Sequence, residues 1–164
     1  MILRTSVIVI CAALVGCAYS TTSRTAKGIE TIAVPFFENK TSEPNLELQV
    51  TELVINNLVA DNTLKVVDEN IADALLDGRI VEFRNLPFSF NDELNAEEYR
   101  VIITVNVTLF NRRLNEPIWE NQIIKGDGAY FLDVPTPGLA FEDAVNESIF
   151  EITERILNLT VQDW

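Results

Sequence analysis

EYRVIITVNVTLF, residues Glu98 to Phe110, alternates without a break. Tyr99, Val101, Ile103, Val105, Val107 and Leu109 form one wholly apolar set. Arg100, Ile102, Thr104, Asn106, Thr108 and Phe110 form the other, mostly polar set. Side chains on a strand point to opposite faces in turn, so this period marks a long strand with one face in a core. A polar turn, Asn111 to Glu116, follows, and then a second strand, Ile118 to Tyr130. The short connection makes the two an antiparallel hairpin. Within the second strand, Gly126-Asp127-Gly128 predicts a bulge or bend.

Before the hairpin, Leu75 to Phe83 reads as a strand and Arg84 to Asn95 as a loop carrying Leu86, Pro87, Phe88 and Phe90. Leu64 to Asp68 is a short strand, and Asp68 to Asp73 a turn. A helix is expected from Pro44, where a missing N–H costs nothing, with Thr41 or Ser42 as its cap. Leu46, Val50, Leu53, Val54 and Leu58 give it a core stripe, and Asp61-Asn62 closes it. Ile29 to Phe37 is β-branched and aromatic, hence a strand, with Pro35 at an edge or at the strand's end. At the other end, Val134-Pro-Thr-Pro-Gly138 breaks the chain. A last helix, about Leu139 to Thr160, then buries Phe141, Val145, Ile149, Ile152, Ile156 and Leu159. Five strands and two amphipathic helices in this order make an α+β, two-layer sandwich. Two helices pack on one face of a mixed four- to five-stranded sheet. Both helices also carry a second, narrower apolar line: Leu48, Ile55 and Val59 on one, Phe150, Leu157 and Val161 on the other. Such lines fit either an interface or scattered surface residues.

The N-terminus speaks of location. Arg4 precedes an apolar run from Val7 to Val15, the pattern of a signal peptide and too short for a membrane-spanning helix. Leu14-Val15-Gly16-Cys17 ends that run and matches the bacterial lipobox. Residues 1–16 are therefore expected to leave as a signal peptide. Cys17 would then carry N-acyl and S-diacylglycerol lipid, residues 17–28 would form the lipidated end and a flexible tether, and 29–164 would be the folded domain. Cys11 departs with the signal, so no intrachain disulfide remains. Removing 16 residues leaves 148, enough for one self-sufficient core.

The chain has 12 Lys and Arg against 25 Asp and Glu. That balance argues against a nucleic-acid partner. There is no histidine, which removes the commonest general base and zinc ligand together. No phosphate-binding glycine motif and no telling carboxylate spacing occur, so the reading is of a protein that is not an enzyme, with no metal or cofactor beyond its lipid.

The chain resembles the LptE family. The resemblance is carried by GCAYS (Gly16 to Ser20), GIETIAVPFFENKTSEPNLE (Gly28 to Glu47), EYRVIITVNVTLFN (Glu98 to Asn111) and PIWENQIIKGDGAYF (Pro117 to Phe131). It implies an outer-membrane lipoprotein on the periplasmic face that plugs and helps assemble the LptD β-barrel and assists lipopolysaccharide to the surface. A strand ending in PFFEN also resembles lipoproteins of curli secretion and activators of peptidoglycan synthases. Direct capture of lipopolysaccharide phosphates would want Lys or Arg. The candidates are Arg84, Arg100 and Lys125. The pair Arg112-Arg113 reads equally as a solvated loop.

Overall fold

The structure, a computed structural model, describes residues 28–132 and 140–161. The expected signal peptide, Cys17, the tether before Gly28 and the break at Val134 to Gly138 lie outside the described residues. Chain order is β1 (Thr31–Ala33), β2 (Glu38–Asn39), α1 (Leu46–Asp61), β3 (Lys65–Val66), a 3₁₀ turn (Glu69–Ile71), β4 (Ala74–Phe90), β5 (Ala96–Asn111), β6 (Glu116–Phe131) and α2 (Phe141–Val161).

The sheet is mixed and open, in the order β3-β1-β4-β5-β6, with β2 beside β4 farther along. β1, β2, β3 and β4 pair in parallel, and β4-β5-β6 is an antiparallel meander. The stretch Ile29 to Phe37 is not one strand. It pairs with Ala74-Leu75, steps out around Pro35, and resumes as β2 beside Arg79-Ile80, which raises the strand number to six. Phe37 turns inward at that step and its ring occupies the space a side chain on Gly78 would need.

The alternation of β5 is borne out. Val101, Ile103, Val105, Val107 and Leu109 have no exposed surface. They face Ala74, Leu76 and Ile80 of β4 and the helical stripe Val145, Ile149, Ile152 and Ile156. Each large aliphatic side chain so buried is worth about 1.5–3 kcal/mol, so this single layer of contacts holds the domain. The helices lie side by side on that face. α2 crosses β6 and β5, while α1 packs against α2 and the short strands. Asn57 Nδ2 of α1 donates to Thr153 Oγ1 of α2 at 3.2 Å.

Three further expectations need correction. The helix starts at Leu46, not Pro44, because residues 41–45 wrap around Asn39 instead. Asn39 Nδ2 donates to the Glu43 carbonyl at 2.7 Å and to Glu47 Oε2 at 2.9 Å. Its Oδ1 accepts from the Thr41 N–H at 2.9 Å. The helix is entered through a left-handed Asn45 (φ 63°) with no side-chain cap. Second, β4 does not end at Phe83 but runs to Phe90, so most of the expected aromatic loop is strand. β1 and β2 pair with β4 only as far as Ile80, so its second half is an edge. There Pro87 forfeits no ladder bond, and a register shift between Pro87 and Ser89 absorbs it. Third, Gly126 and Gly128 make no bulge. β6 pairs regularly with β5 through both, and the irregularity lies near Trp119 instead. The glycines make room for α2. A Cβ on Gly128 would sit 2.8 Å from Ala144 Cα and closer to its oxygen, and one on Gly126 would sit 2.9 Å from the Ser148 carbonyl carbon.

Candidate functional site

The helices cover one face of the sheet, and the polar set of β5 lies on the other. Register places the partners. Arg84 of β4 stands opposite Ile102, and Leu86 opposite Arg100. Lys125 of β6 stands opposite Thr104, and Asp127 opposite Ile102. Paired residues of an antiparallel ladder share a face. Arg84, Arg100 and Lys125, scattered over 42 positions of sequence, are thus gathered on the open face, across three adjacent strands.

Each cation has a different setting. Arg84 Nε lies 3.2 Å from Glu82 Oε1, and Glu82 Oε2 also accepts from Thr104 Oγ1 at 3.1 Å. Arg100 donates through Nη1 to Asp127 Oδ2 at 3.0 Å and lies 3.8 Å from Glu98. Its guanidinium is stacked on the Phe88 ring, 4.1 Å from the centroid. Lys125 is exposed and makes no ion pair among the described residues. Five acids placed there by pairing, Glu38, Asp77, Glu82, Glu98 and Asp127, stand with five bases, Lys40, Arg79, Arg84, Arg100 and Lys125. Between them stand Leu86, Phe88 and Ile123, each 43–57 % exposed. The face therefore offers two ion-paired arginines and an exposed lysine beside apolar surface. That mixture suits an amphiphilic anion better than a small ion.

The Arg100–Phe88 stack escaped the sequence reading because Phe88 sat in an expected loop. The pair Arg112-Arg113 splits in role. Arg113 is structural: its Nε lies 2.7 Å from Asp73 Oδ1 and its Nη1 donates to the Gly28 carbonyl at 3.1 Å. Asp73 Oδ2 also accepts from the N–H groups of Glu30 and Thr31, at 3.0 and 3.1 Å. Burial pushes the Asp73 carboxyl upward, but these hydrogen bonds and the Arg113 charge outweigh it and hold the pKa below the ordinary aspartate value. The result is a clasp that fixes the domain's first residues to the β5–β6 turn. Nothing local in the sequence announces it.

Residues 29–160 match the family model described as LptE: Lipopolysaccharide-assembly. The chain belongs to the LptE family. This is a family of lipopolysaccharide assembly, not of enzymes, so the expected non-enzymatic class stands. Solved structures share the two-layer fold. A hypothetical protein from Chlamydia trachomatis superposes with a TM-score of 0.55 at 14% identity, covering 80% of this chain and 98% of its own. Lipoprotein B from Nitrosomonas europaea gives 0.53 at 13%, covering 82% and 86%. A minor lipoprotein from Acinetobacter baumannii gives 0.51 at 17%, covering 82% and 92%. Among curated proteins none matches the sequence significantly. At such identities the structural likenesses speak for the two-layer fold alone.

Proposed function

We propose that this LptE-family chain is an outer-membrane lipoprotein on the periplasmic face, anchored through lipid on Cys17, that plugs and helps assemble an LptD-like β-barrel and assists lipopolysaccharide toward the surface. The family match over 29–160 carries the reading. The shape supports it. Gly28, where the tether joins, is clasped at the β5–β6 turn. β5 is 16 residues long. At about 3.4 Å per residue the hairpin tip at 91–95 then stands roughly 50 Å from that end. A tether of some ten residues spans at most about 35 Å. The domain is thus held close to its membrane, with the long sheet free to extend into a partner.

The open face is the surface we assign to lipopolysaccharide. Its anionic groups would displace Glu82 and Asp127 from Arg84 and Arg100 and add Lys125, while acyl chains lie on Leu86, Phe88 and Ile123. A tagged chain recovered from gently solubilised outer membrane, with mass spectrometry of what accompanies it, tests the partnership. A stoichiometric barrel supports the reading; wall synthases or self-oligomers in its place would sink it. For the ligand, a Lys125→Glu, Arg84→Glu double variant should lose purified lipopolysaccharide while staying folded. Unchanged binding would remove this face from the proposal.

A further inference from the structure

The two surfaces of the sandwich differ in charge. The open sheet face is balanced, whereas the helix layer is not. Residues 43–61 and 141–161 together hold nine acids and one arginine, a net of −8. Between the helices runs a groove of about 450 Å³ floored by Leu53 and Ile149 and walled by Phe150, which is 53 % exposed. Gln49 and Asn146 also line a second, more polar hollow of about 400 Å³ against Phe141, to whose lining Glu43 and Glu142 contribute. Glu52 borders the groove. The two hollows lie along α2 from Phe141 to Phe150, a trough of about 14 Å at 1.5 Å per residue, or two to three helical turns.

We propose that this trough receives a partner polypeptide with an apolar strip edged by lysine or arginine, most simply one face of a short basic amphipathic helix. Apolar floor and acidic rim together specify such a segment: the strip fills the groove as helix-in-groove recognition requires, and the flanking cations meet Glu52 and Glu142. A second copy docking by the same face would set −8 against −8. An anionic lipid surface would meet the same repulsion. The second apolar line of α2 is accounted for in part, since Phe150 is its most exposed member. The proposal is independent of the lipopolysaccharide reading, which concerns the opposite face.

The test uses the full chain in detergent and two fluorescent 14-residue peptides, one built of leucine and lysine with leucines on one helical face, the other with glutamate in place of lysine. Binding is followed by anisotropy at low and high salt. The lysine peptide should bind, and more weakly at high salt. Phe150→Ser and Leu53→Asn should each weaken it about tenfold, as loss of a central anchor does. Glu52→Gln with Glu142→Gln should flatten the salt dependence. Leu114→Ser, in the exposed β5–β6 turn, should change nothing. Phe150 is half exposed, so its variant keeps the fold, and circular dichroism checks this. Equal binding by wild type and Phe150→Ser, or equal binding of the glutamate peptide, overturns the proposal. Self-association abolished by Phe150→Ser overturns it in favour of a second copy.

Discussion

Replacing Gly128 with alanine should destabilise the protein, and the sign of the effect carries the information. In an ordinary strand position, glycine to alanine removes freedom from the unfolded chain and stabilises by about 0.4–1 kcal/mol. Gly128 has no left-handed backbone that would forbid alanine. The obstacle is the helix. The added methyl would lie 2.8 Å from both the Cα and the carbonyl carbon of Ala144, and nearer still to the oxygen. Ordinary contact begins near 3.4 Å, so α2 would have to retreat by roughly 1 Å, since the opposing atoms are backbone and cannot swing aside. A gap of that size forfeits about a quarter to a half of each dispersion contact it opens. Those contacts are the fully buried ones of Ile152 and Ile156, and of Ile149 beside them. The cost should be about 2–3 kcal/mol, at the upper end for overpacking. For a domain of this size that lowers Tm by roughly 4–12 °C. Gly126→Ala, against the Ser148 carbonyl, should behave alike. Lys125→Ala, next to Gly126 but on the open face, should stay within about 0.5 kcal/mol of wild type. Urea unfolding followed by circular dichroism measures all three. If either glycine variant proved as stable as wild type, or more so, the close seating of α2 on β6 would be wrong.

Other outcomes follow from the same geometry. Asp73→Ala should cost about 2–3 kcal/mol by orphaning the Glu30 and Thr31 N–H groups and the Arg113 guanidinium, read by urea midpoint. Because the folded Asp73 pKa is lowered, its contribution is present above the unfolded value near 3.8 and is lost as pH falls through the folded one. Stability curves of wild type and Asp73→Asn should therefore converge in acid, and parallel curves down to the lowest pH would deny the clasp its charge. Thr51→Val should cost about 1–3 kcal/mol, since Thr51 Oγ1 accepts the buried Phe37 N–H at 3.0 Å and no other acceptor replaces it. Calorimetry would show it. Cys17→Ala should release a folded domain from the membrane; a variant still bound after a salt wash would mean that the partner, not lipid, retains it.

Much of this molecule is legible in its sequence. The alternation of β5, the turn at Asn111 to Glu116 and the 3.6-residue stripes of both helices are periodic properties of the chain itself. They survive because any burial of those apolar sets demands the same local geometry. The misreadings share a different cause. Pro87 is compatible with β4 only because β1 and β2 stop pairing at Ile80, which is a fact about neighbours. Gly126 and Gly128 looked like a bend because the sequence cannot show that a helix backbone passes over them. Arg113 looked solvated because its partner, Asp73, lies 40 residues away.

The candidate site divides in the same way. Arg84, Arg100 and Lys125 could be chosen from the sequence as scarce cations in an acidic chain. Their assembly on one face, and the Phe88 ring under Arg100, rest on strand order and on a bulge. The lipobox at Cys17 and the family stretches pointed to an envelope lipoprotein from the sequence alone, because local motifs are read by enzymes and partners as local strings. Which surface is balanced, which is acidic and where a groove opens were decided only by the tertiary structure. Charge and shape at a surface are sums over residues that the chain brings together from far apart, and no window of sequence contains that sum.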